Sequence, residues 1–213
     1  SIADHCEIFP FASIGKRTQD LKYVPGIETR VSVGANTVIR EYVTVHQPTT
    51  DGAETVVGSN CAILAYCHVA HDCILGDGVI MSNSTNLGGH VSVGDYAVVG
   101  GMCGVHQFVR IGTMAMVSAT AKAVQDIPPY CLVDGSPAKL VTVNKVGMQR
   151  NGKSPESIHA VERAFRIMFR SNLTVEAAAA KLQAELSEAL EAREMLDFTR
   201  TSERGVARPR NTK

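Results

Sequence analysis

Neither sign of charge is in excess in this 213-residue chain: lysine plus arginine and aspartate plus glutamate number 21 each, so the formal net charge is zero. That removes the bulk electrostatic case for a nucleic-acid partner. No run of 18 apolar residues occurs, and no charged segment leads into a short apolar one near the start, so the sequence predicts no membrane span and no secretory signal. The six cysteines form no C-x2-C pair, which leaves zinc without its commonest spacing. Packing explains these cysteines better than disulfides, and a reducing, cytoplasmic setting follows. Nothing in the composition calls for a metal or an organic cofactor.

What the chain does have is a beat. From Val57 to Val117 an aliphatic residue recurs every six positions, eleven times without a miss (Val57, Ile63, Val69, Leu75, Met81 and onward). Two positions before each stands a small or β-branched residue; Cys61, Cys67, Cys73 and Cys103 fall in this slot, and Cys6 takes it before Ile8. A helix repeats at about 3.6 residues and a strand at 2, so neither alone explains the period. Fixed six-residue repeats build parallel β-helices, three hexads to a triangular coil. The predicted fold is therefore mainly β, a β-helix over residues 1–143 followed by a C-terminal α-helical domain and basic tail over 144–213.

Ile2, Ile8 and Ile14 already keep the beat, so the solenoid enters mid-course: either further coils precede this sequence or it is a short member of its kind. The beat breaks over residues 16–30 and again over 46–54, both polar and rich in turn formers. These segments must loop outward, and long loops on a rigid scaffold are where function concentrates. Function is expected more in the first loop than in the second.

Stacking the coils by 18 residues separates three corners. One reads V-G-S-N, L-G-D-G, V-G-D-Y and I-G-T-M from residues 57, 75, 93 and 111, with Gly58, Gly76, Gly94 and Gly112 expected to supply positive φ. The second carries nothing obviously chemical. The third reads V-A-H-D at 69, L-G-G-H at 87 and V-H-Q-F at 105, so four of seven histidines (His68, His71, His90, His106) share one edge. Neutral imidazole suits proton abstraction near pH 7, so His71 is the candidate base, with Asp72 to orient it. Gly89, one coil on, offers a backbone N–H to a developing oxyanion with no side chain in the path. Base plus oxyanion donor, without a nucleophilic serine or cysteine, suits direct acyl transfer to a bound hydroxyl or amine.

Five stretches carry a resemblance: F-A-S-I-G-K-R-T-Q-D-L-K-Y (11–23), H-V-A-H-D-C (68–73), N-L-G-G-H-V-S-V (86–93), G-G-M-C-G-V-H-Q-F (100–108) and Q-D-I-P-P-Y (125–130). Together they resemble the UDP-N-acetylglucosamine O-acyltransferases, which carry out the first step of lipid A biosynthesis. The resemblance runs over nearly the whole chain. It implies a left-handed β-helix, an exception to the usual crossover hand, assembled as a homotrimer with active sites between subunits. It also implies transfer of an (R)-3-hydroxyacyl group from acyl carrier protein to the 3-hydroxyl of UDP-N-acetylglucosamine. By the same resemblance His71 is the general base, Asp72 its partner and Gly89 the oxyanion donor. Asp20, Lys22, His68, His90, His106 and Gln107 would contact substrate, Asn144 and Arg150 the nucleotide, and Ala119 would sit at the acyl-length ruler, a glycine in long-chain members.

The chain departs from that pattern at Val146, where an acidic residue is usual, and at Asn151, which replaces a second arginine. The segment D-G-S-P-A-K (134–139) is closer to other hexapeptide acyltransferases. Three alternatives stay open: N-acylation of a 3-amino-sugar nucleotide by the same site, a zinc-dependent hydratase of the carbonic anhydrase type, and a solenoid without catalysis. After the solenoid, Ser154 and Pro155 start a helix whose Ile158, Val161, Phe165, Met168 and Phe169 share a face, and Thr174 caps a second. Arg163, Arg166 and Arg170 are a solvated face or a surface for an acidic carrier protein. Arg200, Arg204, Arg208 and Arg210 are expected in a disordered tail.

Overall fold

A computed structural model describes residues 1–210. Each hexad contributes a short extended run and a corner, so most wall strands are two residues long, as at Ile80–Met81 and Asn86–Leu87. Strands one coil apart pair in parallel and in register, Asn86 with Gly104 and Leu87 with Val105. Three walls result, sheets of eight, six and five strands. One antiparallel pair, Cys131–Asp134 with Lys139–Val143, closes the last coil. The six-residue aliphatics fill the bore: Ile63, Val69 and Met81 are fully buried.

The slot two residues earlier does more than fit. Its thiol or hydroxyl donates to a corner carbonyl on the next coil: Cys67 Sγ to Ser82 O (3.0 Å), Cys103 Sγ to Ser118 O (3.0 Å), Thr85 Oγ1 to Gly100 O (2.7 Å). Such carbonyls turn out of the strand ladder and need a donor. All six cysteines are free, and burial pushes the Cys67 thiol up to about 11 and Cys73 up to about 12, so these are inert packing groups.

The corners correct one expectation. Positive φ falls not on Gly58, Gly76, Gly94 and Gly112 but three residues after each aliphatic, at Asn60, Tyr66, Asp72, Ser84, His90, Tyr96, Met102 and Phe108. The corner glycines are required by close approach instead. A Cβ on Gly58 would stand 2.3 Å from Gly76 O, and one on Gly76 would stand 2.1 Å from Asp95 Oδ1.

Both loops leave the same coil region. The first spans 17–29, between strands Ser13–Lys16 and Arg30–Val33; the second spans 47–53, between Thr44–His46 and Glu54–Val57. Beyond the last strand come four helices: α1 (Lys145–Arg150), α2 (Pro155–Phe169), α3 (Val175–Leu186) and α4 (Leu190–Arg200). Ser154 caps α2 and Thr174 caps α3 through their side-chain oxygens. Ile158, Val161, Ala164, Phe165 and Ile167 make the buried face of α2, and Arg163 pairs with Glu185 of α3 (2.7 Å). Neither α1 nor α4 is expected from the sequence pattern. Helix α4 is tied to the rest of the chain by a Tyr130–Glu194 hydrogen bond and a Lys153–Glu191 ion pair at 2.9 Å.

The segment after α4 is ordered, against expectation. Asp126 N donates to Gly205 O (3.1 Å) and Ala207 N to Asp126 O (2.8 Å). Further on, Leu140 N donates to Arg208 O (2.9 Å) and Arg210 N to Leu140 O (3.0 Å). Arg200 ends helix α4, and Arg204, Arg208 and Arg210 lie in a strap paired onto the last coils, because the exposed edge there has unpaired backbone groups to satisfy. Residues 211–213 of the expected tail lie outside the described residues. Among the described residues, no helix is long and apolar enough to cross a membrane.

Candidate active site

The third corner brings His71, Asp72, Gly89, His90 and Gln107 to one edge, as stacking by 18 requires. Asp72 has φ of 59°, a left-handed conformation that turns its side chain back onto its own neighbour instead of to the opposite face. Its Oδ2 lies 2.8 Å from His71 Nδ1. A carboxylate can only accept, so Nδ1 carries the proton and the neutral ring leaves Nε2 as a lone pair. Asp72 Oδ2 also accepts from the backbone N–H (3.1 Å) and hydroxyl (2.8 Å) of Thr49 on the second loop. Burial raises the Asp72 pKa, but the hydrogen bonds from His71 and Thr49 outweigh it and hold the carboxyl below its usual range.

Gly89 lies under the imidazole. A Cβ there would stand 2.3 Å from His71 Cε1 and 2.4 Å from Nε2. No side chain fits that position without displacing the ring. Its flanking amides are used, Gly88 N donating to Val105 O and His90 N to His71 O. Among the described residues the N–H of Gly89 itself has no acceptor. Gly89 thus sits against the His71 ring one coil on.

His71 opens on a cleft of about 420 Å³, lined on one side by Thr18, Gln19, Asp20 and Lys22 of the first loop and on the other by His46, His68, His71, Gly88 and Gln107; Asp72, Gly89 and His90 adjoin His71 without lining it. The first loop is held in place locally: Thr18, buried, accepts from Asp20 N (3.0 Å), and Asp20 Oδ1 accepts from Lys22 N (2.8 Å). Asp20 Oδ2 then stands 3.9 Å from His71 Nε2. His68 is fixed by Thr44 Oγ1 at 2.7 Å from Nδ1. Burial, with repulsion from His46 and His71, depresses its pKa to about 4, so it is neutral in the working range. His46 is depressed for the same first reason, burial, and by His71.

His46, Thr18 and Gln19 were not among the residues singled out from the sequence. His46 meets His68 edge-on at 4.8 Å. It falls at the start of the second break in the beat, yet it ends the strand Thr44–His46, paired one coil from His68–Val69 through a 24-residue step. Allowing six inserted residues in that coil would have revealed it.

His90 flanks Asp72 from the other side, its Nε2 3.7 Å from Oδ2 and its ring stacked on Phe108 at 4.6 Å. His106 is exposed, with Nδ1 3.2 Å from Arg204 Nη2 of the strap, and is not among the residues lining the cleft. Three more expected residues lie away from this edge on this chain. Asn144, buried, caps α1 by accepting from Gly147 N (3.0 Å) and donates to Met114 O (2.8 Å). Arg150 lies in the last turn of α1. Ala119 is exposed at the second corner.

A metal would have to use His71, Asp72 and His90, whose ligand atoms lie within 4.8 Å of one another. That is two imidazoles and a carboxylate, not the three imidazoles of the hydratase reading. The same Asp72 oxygen and His71 Nδ1 are already committed to each other.

Two family models match the chain: one described as Udp N-acetylglucosamine O-acyltransferase, Domain 2, over residues 126–207, and one described as Bacterial transferase hexapeptide (six repeats) over residues 54–89. The acyl-[acyl-carrier-protein]–UDP-N-acetylglucosamine O-acyltransferase of Herminiimonas arsenicoxydans is 45% identical over 206 residues, which cover 94% of this chain and 78% of that protein. Among solved structures, a UDP-N-acetylglucosamine acyltransferase from Bacteroides fragilis matches with a TM-score of 0.93 and 36% identity, covering 97% of this chain and 81% of its own. One from Arabidopsis matches with a TM-score of 0.90 and 35% identity, covering 95% and 74%.

Proposed function

The chain belongs to the UDP-N-acetylglucosamine O-acyltransferase family, and from that premise we propose how its third-corner cleft carries out the reaction. The enzyme transfers an (R)-3-hydroxyacyl group from acyl carrier protein to the 3-hydroxyl of UDP-N-acetylglucosamine, the step that opens lipid A biosynthesis. His71 Nε2 removes the hydroxyl proton as the sugar oxygen attacks the thioester carbonyl. Asp72, below its usual carboxylate range, holds Nδ1–H and stabilises the imidazolium. The tetrahedral oxyanion is received by the N–H of Gly89. Collapse expels the carrier's thiolate, which recovers the proton from His71. The one observation that carries this reading is the position of Gly89 beneath His71, where any side chain would strike the ring.

Asp20, Lys22, His68 and Gln107 line the cleft and bind the sugar nucleotide, with His46 beside His68. His90 and His106 complete that edge. Arg150 and Ala119 lie away from the cleft on one chain, and in this reading a neighbouring subunit of a homotrimer supplies them; Asn144, its side chain committed to Gly147 N and Met114 O, sets the start of the helix α1 that carries Arg150. Ala119 shortens the acyl groove by a methyl group. Val146 and Asn151 thin the nucleotide contacts, and the setting is cytoplasmic.

The experiment is turnover of purified enzyme with acyl carrier protein thioester and UDP-N-acetylglucosamine, run beside the 3-amino-sugar nucleotide. Replacing His71 with Ala should lower kcat about 10³-fold with the oligomer intact, and Gly89→Ala should do nearly the same by displacing the ring. Near-normal turnover in His71→Ala would sink the mechanism, and preference for the amine would move the assignment to N-acylation.

A further inference from the structure

We propose that Thr49, on the second loop, is the positioning residue that assigns the Asp72 carboxylate to His71 and withholds it from His90; this rests on the acyl-transfer reading above. Two imidazoles compete for one oxygen. Asp72 Oδ2 is 2.8 Å from His71 Nδ1 and 3.7 Å from His90 Nε2, and the two rings lie edge-to-face with centroids 5.1 Å apart. A modest rotation of the carboxylate would exchange the short contact for the long one. That exchange would leave His71 without the partner that holds its tautomer.

The Asp72 backbone does not by itself prevent it. The residue is fixed at φ 59° and its N–H donates to Thr55 Oγ1 (2.9 Å), but χ1 and χ2 remain to be set. Thr49 sets them. Its N–H and hydroxyl both converge on Oδ2, at 3.1 and 2.8 Å, so the oxygen that serves His71 is held from a second direction. Hydrogen bonds to an ionised acceptor are stronger than neutral ones, and two from one residue fix direction as well as distance.

The placement is local in sequence terms too. Thr49 lies 23 residues before Asp72, one coil plus the inserted segment, and the second break in the six-residue beat brings it there. Loop 47–53 therefore contributes to the site without lining the cleft: among the residues bordering it, none comes from 47–53. A substitution at Thr49 should then alter the chemical step and leave substrate binding alone.

The test compares Thr49→Val, which keeps the N–H and the branched shape, with Thr49→Ser, which restores the hydroxyl, each alone and in an Asp72→Asn background. Thr49→Val should lower kcat about tenfold with KM for the sugar nucleotide near the parent value, and Thr49→Ser should recover most of the loss. In the Asp72→Asn background Thr49→Val should add little, because the group it positions is already altered. Parent-like kcat in Thr49→Val would overturn the proposal, as would equal impairment in Thr49→Ser or an additive loss in the double variant. A His71→Ala control separates the two levels: full turnover there removes the underlying reading, whereas a large loss there with parent-like Thr49→Val removes only the role of Thr49.

Discussion

Asp72, His90 and Phe108 occupy the left-handed position of three successive corners, at φ of 59°, 60° and 65°. That conformation costs most residues about 1–2 kcal/mol and is tolerated best by Asn, Asp and His. Asp72 suits that slot, and its left-handed backbone turns the carboxylate back onto His71. The histidines of the cleft carry a stability signature as well. Folded His68 titrates near 4 against an ordinary 6.5, so between those values the unfolded chain binds a proton that the folded chain does not. Its contribution is complete above about 6.5 and is lost as pH falls toward 4; His46 acts in the same direction. Denaturant midpoints should therefore drop between pH 7 and pH 5, and His68→Asn should flatten that slope. An unchanged slope in the variant would show that His68 is not the group concerned. At this scale the juxtaposition of His71, Asp72 and Gly89 could be read from 18-residue stacking, whereas a substrate role for Gln107 rests on the family resemblance. Thr49 could not, because nothing in a polar loop says which of its hydroxyls returns to the wall.

At the scale of elements, the walls were legible because six-residue repetition survives any local accident, and the α2 and α3 starts because Ser154 and Thr174 sit before clear helical runs. Short α1 and α4 escaped. Six residues beginning K-V-G are too few to show a period, and α4 has no side-chain cap at Ala189. The strap escaped for a different reason: its order comes from partners far away in sequence. Asp126, almost fully buried, accepts from Arg110 N (2.9 Å) and Ser202 Oγ (2.8 Å) while its backbone pairs with Gly205 and Ala207. Asp126→Ala leaves both donors unmatched and should cost about 2–3 kcal/mol, a fall in Tm on the order of 5–10 °C read by calorimetry. A Tm within a degree of the parent would mean the strap is held by its backbone pairs alone.

For the whole molecule, the third corner holds the proposed chemistry and the second corner holds Ala119, on different edges of one triangular coil. Asn144 spends both polar ends inside its own chain, on Gly147 N and Met114 O. In the proposed reading a single chain presents the base, the oxyanion donor and the sugar-binding loop, and a second subunit brings Arg150 and Ala119. Stacking by 18 shows the edge but not the assembly, since it relates residues within one coil column only; the expected homotrimer rests on the family resemblance. The most direct measurement is a crystal structure with the 3-O-acylated UDP-N-acetylglucosamine bound. The account predicts the ester's sugar oxygen within about 3 Å of His71 Nε2, the acyl carbonyl oxygen on the N–H of Gly89, and the acyl chain running toward a neighbour's Ala119. A product bound with its ester away from His71 and Gly89 would contradict it.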